Sequence, residues 1–269
     1  MTRTAVVRAC ASLCSVALLA AASLSAQGPD RSRPPVSGPP PSLTLPAIQK
    51  QALSNGLPVW VVEQHEVPVA QVNLVVLSGS ADDPAGKFGI ASLTAAMLME
   101  GAGSRTSLEL ADAIDFLGAD ITAGSTSDFS AVRLHSPVAR LADALPIMAD
   151  IAERPAFAQA DLDRIRQQRL TALLQSRDDP NTIASLTFSR VLYGTAHRFG
   201  TATMGTAETV RSFTTDDLRA FYAARFRPDN AAIVVVGDVT PATVLPLVEQ
   251  SFGAWKAPAG PAQIGRAHV

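Results

Sequence analysis

The sequence predicts an α+β fold, and three observations carry that expectation. Strand-like and helix-like segments mix without the strict alternation that a parallel α/β sheet requires. Ala231 to Val236 is an uninterrupted apolar, β-branched run, whereas Val69 to Leu77 puts Val72, Leu74 and Val76 on one face and Val75 and Leu77 on the other. Apolar residues make up 47 % of the 269 residues and charged residues 17 %, enough to bury a core.

The elements follow in order. Leu57 to Val62, after the turn signal Ser54-Asn55-Gly56, is a first strand, and its short link to Val69 to Leu77 suggests a hairpin or adjacent strands. A polar loop, Ser78 to Lys87, leads into a helix over Phe88 to Met99 that is apolar on nearly every side and therefore buried on most of them. Glu100-Gly101-Ala102-Gly103 ends it. Ser107 caps a helix running to Leu117 with Gly118 as its stop. Asp120 to Ala123 and Phe129 to Ser136 are strands, and Arg140 to Glu153 is helical. Asp161 to Arg177 is a long helix with Leu162, Ile165, Leu170, Leu173 and Leu174 facing inward. Asp179-Pro180 supplies a cap and a first-turn proline for a helix ending near Gly194. Thr214 and Asp217 have capping-box spacing before Leu218 to Ala224, and Thr240-Pro241 opens a last helix that stops at Gly253.

The two ends read differently. Arg3 and Arg8, the apolar stretch Ala9 to Leu24 and the small residues Ser25-Ala26 make residues 1–26 a signal peptide, with an uncleaved anchor as the alternative. Export to the periplasm or the exterior is expected. Seven prolines in residues 27–46 make that stretch an extended spacer. The folded domain is expected over residues 47–258. Ile264 to Val269 match the direct translation of a common sequencing-adapter oligonucleotide, so residues 259–269 read as a truncated linker ending in an artefact tail. The natural protein is then expected to continue beyond Gln263.

Composition and spacing exclude several chemistries. The net charge is −2, and −4 once the signal is cleaved, which argues against a nucleic-acid binder. The only cysteines, Cys10 and Cys14, leave with the signal, so disulfides, cysteine-ligated zinc and a cysteine nucleophile are not expected. None of His65, His135 and His197 has a second histidine three to five residues away, as a helical zinc site would need. His65 reads as a solvated loop residue, His135 as a sheet-edge residue and His197 as a partner of local backbone. There is no Gly-x-Ser-x-Gly elbow and no phosphate loop. Asp82-Asp83 and Asp178-Asp179 read as turn or cap features.

The order of short landmarks resembles the pitrilysin/insulinase family of zinc metallopeptidases, family M16. Leu53-Ser54-Asn55-Gly56-Leu57 is similar to the family's opening Leu-x-Asn-Gly-Leu, and Gly79-Ser80, Pro84 and Gly89-Ile90-Ala91 to the loop entering its active-site helix. Gly118-Ala119-Asp120-Ile121-Thr122-Ala123 resembles the family's edge strand, with Thr122 where asparagine is usual. Arg177-Asp178-Asp179-Pro180, Tyr193-Gly194, Phe226-Arg227-Pro228-Asp229-Asn230-Ala231 and Val234-Val235-Val236-Gly237-Asp238 resemble later landmarks. The resemblance implies an M16/LuxS-like metallohydrolase half, a mixed, mostly antiparallel sheet packed against helices. It also implies a His-x-x-Glu-His helix, whose histidines bind zinc while the glutamate takes a proton from metal-bound water.

Aligned on that motif, this chain has Ser92 and Ala96 at the histidine positions and Ala95 at the general-base position. The third-ligand position falls on Ala172. No catalytic residue and no metal ligand is therefore expected in this chain, and Glu100 lies in the wrong register to substitute. Zinc is expected in an active partner. The resemblance implies a non-catalytic subunit or domain that completes the peptide chamber of an exported zinc metallopeptidase, with Ala119, Asp120, Ile121, Thr122 and Ala123 receiving an extended peptide. Its partners would be an active subunit or a missing C-terminal half, and a peptide. Two alternatives remain open: a metalloendopeptidase acting through that missing half or a partner chain, and a stand-alone peptide-binding or assembly module.

Overall fold

The computed structural model describes residue 38, residues 46–195 and residues 197–257. The expected signal peptide, nearly all of the proline-rich spacer and the expected artefact tail lie outside them. Among the described residues no helix is long and apolar enough to cross a membrane.

The described elements run β1 (Gln49–Ala52), β2 (Pro58–Glu63), β3 (Val69–Val76), α1 (Ile90–Met97), α2 (Ser107–Phe116), β4 (Asp120–Ser125), β5 (Ser130–Pro137), α3 (Leu141–Glu153), α4 (Gln159–Gln175), α5 (Pro180–Tyr193), α6 (Ala207–Ser212), α7 (Thr215–Arg225), β6 (Ala231–Gly237) and α8 (Pro241–Phe252). The strands form one sheet in the order β1-β2-β6-β3-β5-β4. Only β2 and β6 are parallel; the other four pairings are antiparallel. The architecture is the α+β one expected.

The expected pairing of the first two strands read from sequence is corrected. β6 lies between β2 and β3, so they are not neighbours. The apolar run of β6 belongs in a central position, paired on both sides. The five-residue link 64–68 permits it: two strand spacings are about 10 Å, well within the roughly 17 Å that five extended residues reach.

Alternation gives the sheet two unlike faces. Val59, Val61, Val72, Leu74, Val76, Ile121, Val132, Leu134, Ile233 and Val235 are at most 6 % exposed and form the floor of the core. On the other face Trp60, Thr122, Arg133 and His135 are exposed. Helices cover the first face: α1 packs on β4 and β5, α3 packs on β5, and α7 and α8 pack against α1 and α3 respectively. The Ser54-Asn55-Gly56 turn anchors the end of α8, because Asn55 Nδ2 donates to the carbonyls of Phe252 and Trp255 at 2.9 Å each.

Other differences have local causes. Thr106, not Ser107, caps α2, in a reciprocal pair with Glu109. The helix expected over Phe88 to Met99 is shorter, Ile90–Met97. Leu174 is 62 % exposed rather than inward, while Leu162 is fully buried and Ile165, Leu170 and Leu173 pack against the core. The strand β1 reads Gln-Lys-Gln-Ala and carries no apolar alternation, and α6 has only six residues, too few to show a helical period.

One core-facing carboxylate is poorly housed. Glu153, the last residue of α3, has Oε1 buried with no hydrogen-bond partner among the described residues. Burial pushes its carboxyl up to about 7, with Arg154 opposing. The helix C-terminus also disfavours an anion there. Glu153→Gln is expected to stabilise the fold by about 1 kcal/mol at pH 8 and by nothing at pH 5, read from urea midpoints at the two pH values.

Candidate functional site

The loop before α1 sets the helix in place. The Asp83 carboxylate accepts the backbone N–H of Gly89 at 2.6 Å and of Ala91 at 3.0 Å, satisfying free donors at the start of α1. This bears out Asp83 as a cap feature. Asp83 is 3 % exposed; burial pushes its carboxyl up to about 6, while the two N–H groups pull the other way. Gly89 must be glycine: its φ is +94°, and a Cβ there would lie 2.6 Å from the Met204 carbonyl oxygen.

That register sends Leu93 and Met97 fully into the core and leaves Ser92 and Ala96, one turn apart, half-buried on the other side. Ala95 is fully buried. Ser92 Oγ donates to the Thr203 carbonyl at 2.9 Å. From α4, Arg169 reaches across: its Nη1 donates to Ser92 Oγ at 2.6 Å and its Nη2 to the Ser92 carbonyl at 3.2 Å, with a long contact from Nη1 to the Gly89 carbonyl at 3.5 Å. Ala172 lies three residues further along α4, on the face that carries Arg169. The structure thus joins Ser92 and Arg169 directly and places Ala95, Ala96 and Ala172 on the two helices that this arginine ties together.

Arg169 is the residue that sequence reasoning missed. Its signal was available: on α4 it continues the Leu162 and Ile165 stripe that leads to Ala172, and an arginine on such a stripe needs an acceptor. Burial pulls its guanidinium down to about 10, with the charge of Asp83 opposing, so it remains cationic at neutral pH. Its acceptors are a hydroxyl and two carbonyls, all neutral.

The remaining candidates are separate from this pair. Glu100 forms an ion pair with Arg164 of α4. His65 is exposed between Asp238, 2.7 Å from Nδ1, and Glu63, 3.0 Å from Nε2; those hydrogen bonds raise its pKa. His135 is corrected: it lies on β5, one strand in from the edge, paired in register with Asp120 and Gln71. His197 Nδ1 accepts the Phe199 N–H, the local backbone role expected of it. Asp179 caps α5 as expected.

At the sheet margin, β4 is an edge strand. Asp120 and Thr122 are exposed, Ile121 is buried in the core, and Ala119 and Ala123 are half-buried. Among the described residues no group of three or more His, Cys, Asp or Glu is placed to hold a metal ion. The α1–α4 contact does not fit zinc: alanine offers no lone pair, Ser92 Oγ is engaged on two sides, and a fixed cation adjoins it.

Residues 59–206 match the insulinase, or peptidase family M16, profile, and residues 212–268 match that of the peptidase M16 inactive domain. The chain belongs to peptidase family M16. It is 28 % identical over 204 residues to an uncharacterized zinc protease of Mycobacterium leprae, covering 76 % of this chain and 46 % of that protein. It is 24 % identical over 194 residues to a Helicobacter pylori protein named as a non-peptidase homolog, covering 72 % and 45 %. A peptidase M16 inactive domain from Pseudomonas fluorescens superposes with a TM-score of 0.75 at 30 % identity, covering 81 % of this chain and 53 % of that one. The first half of the Escherichia coli periplasmic protease PqqL shares the fold, with a TM-score of 0.73 at 19 % identity over 82 % and 48 %. The chain spans about half the length of the curated relatives it matches. The M16 fold expected from the landmarks is thereby established for this chain.

Proposed function

We propose that this M16 chain is a non-catalytic half that completes the peptide chamber of an exported zinc metallopeptidase. The observation that carries this reading is the contact between α1 and α4 at Ser92 and Arg169. By the resemblance to the family landmarks, the positions that would hold zinc and its base fall on Ser92, Ala95, Ala96 and Ala172, and Arg169 is hydrogen-bonded to the first of them. Small apolar residues fill a disused site without leaving a buried polar group unpaired, and alanine keeps α1 helical.

Two further features support a partnered half. The open face of the sheet ends at β4, whose free edge can add an extended peptide as a further strand. The helix α5 leaves Ile183, Phe188, Val191 and Leu192 between 46 % and 82 % exposed, more apolar surface than a solvated helix face normally carries. Under this reading, another M16 half, in the same chain or in a partner, supplies zinc and covers that surface.

The test is turnover of a quenched fluorescent peptide by the purified chain with zinc supplied. It should equal the protein-free rate. Adding an exported M16 partner with an intact His-x-x-Glu-His helix should give chelator-sensitive turnover that depends on this chain. Chelator-sensitive cleavage by this chain alone overturns the proposal.

A further inference from the structure

We propose that Arg169, where α4 meets α1, is a carboxylate-binding site, so that this half receives an acidic group of a peptide where its relatives would polarise a peptide bond. The inference rests on the chamber reading for the identity of the ligand as a peptide, but the carboxylate chemistry follows from the arginine itself.

A guanidinium presents five N–H donors on two usable edges. Ser92 takes the end formed by Nη1 and Nη2, through its hydroxyl and its carbonyl. The other edge, Nε with the second hydrogen of Nη2, has no acceptor among the described residues. That edge matches the two oxygens of a carboxylate in a parallel, bidentate pair. Arg169 is half-buried, so part of its side chain still meets solvent.

Charge favours the same ligand. The other paired arginines of α4 and α7 are matched with acids: Arg164 with Glu100 and Asp161, Arg166 with Asp163, and Arg219 with Asp216. Arg169 contacts neutral oxygens alone. Asp83 acts on it through space, but its two oxygens are committed to the N–H groups of Gly89 and Ala91. A partly desolvated cation with an empty donor edge gains more from an incoming carboxylate than an exposed one does. The carboxylate can be an Asp or Glu side chain or a chain terminus.

The experiment follows the Arg169 Nε–H resonance of the full chain by arginine side-chain NMR, assigned through its loss in Arg169→Lys. The probes are N-acetylglutamate α-amide, its glutamine isostere and N-acetylglycine. Three extended octapeptides are titrated in parallel by fluorescence anisotropy: central Glu with amidated terminus, central Gln with amidated terminus, and central Gln with free terminus. The two acids should shift the Nε–H and the glutamine compound should not. At least one acidic peptide should bind roughly tenfold tighter than the neutral one, with the preference lost in Arg169→Gln and shrinking as salt is added to the unmodified protein. The salt series decides the matter should Arg169→Gln fail to fold. Which acidic peptide gains separates side chain from terminus. Equal binding of acid and amide, with no Nε–H shift, overturns the carboxylate site and leaves the chamber reading standing. Acids that shift Nε–H while no peptide binds overturn the chamber reading alone.

Discussion

Rebuilding together the four positions proposed to have lost the zinc site, as S92H, A95E, A96H and A172E, is expected to leave the chain without tightly bound zinc for as long as Arg169 is kept. Arg169 holds to α1 partly through the backbone carbonyls of Ser92 and Gly89, at 3.2 Å and 3.5 Å, and these survive any side-chain change at position 92. A unit charge about 4 Å from another, at an effective dielectric near 20, feels roughly 4 kcal/mol, and a divalent ion doubles that. The arginine can swing away, but only by abandoning those bonds and its packing. We therefore expect the fourfold variant to bind zinc at least roughly 100-fold more weakly than a fivefold variant that adds Arg169→Met, whose unbranched side chain fills similar space. Competition with a chromogenic zinc chelator measures both, and circular dichroism checks that both fold. Tight zinc in the fourfold variant would show that loss of ligands alone disabled the site and that Arg169 is a bystander.

What was legible in the sequence depended on how local its cause was. The turn at Asn55, the caps at Asp179 and Thr214, and the alternation of β3 are written in residues close along the chain, so they emerge directly. The position of β6 between β2 and β3 was not legible, because a buried apolar strand states that it is central without stating its neighbours. The polar edge β1 was invisible for the opposite reason: its pairing with β2 is main-chain work, and its side chains face solvent. At the site, the resemblance to the family landmarks proposes Ser92, Ala95, Ala96 and Ala172, and each of those is defined by what it lacks. Arg169, on which the carboxylate proposal rests, lies 77 positions from its acceptor on Ser92. No spacing rule connects two residues that far apart.

Stability should peak on the mildly acidic side of neutrality, and Asp83 is a principal reason. Its folded carboxyl titrates at about 6 against an ordinary 3.8, so the native state holds the proton more tightly than the unfolded chain does. For a raised acid, the stabilising contribution is complete below the unfolded value and disappears as pH climbs through the folded one. Between pH 4 and 6 this group alone therefore lowers stability by a few kcal/mol at most as it ionises. Glu153 acts in the same sense up to about 7. Carboxylates nearer the surface oppose them at lower pH: Asp179, Glu109 and Glu249 are lowered by hydrogen bonds from Thr182, Thr106 and Ser54 and lose that help as they are protonated. Two substitutions separate ionisation from capping. Asp83→Asn keeps an acceptor for one of the two α1 donors and cannot ionise, so it should flatten the fall between pH 4 and 6. Asp83→Ala removes both acceptors and leaves the Gly89 and Ala91 N–H groups unpaired in a buried place, which should cost about 2–4 kcal/mol at pH 7. Because α1 carries Ser92, fraying its first turn should also loosen the Ser92–Arg169 bond, so Asp83→Ala should weaken carboxylate binding in step with stability. Urea midpoints across pH 4 to 8 for the three proteins are the measurement. A pH profile unchanged in Asp83→Asn would show that the carboxylate caps α1 without its ionisation being felt by the fold.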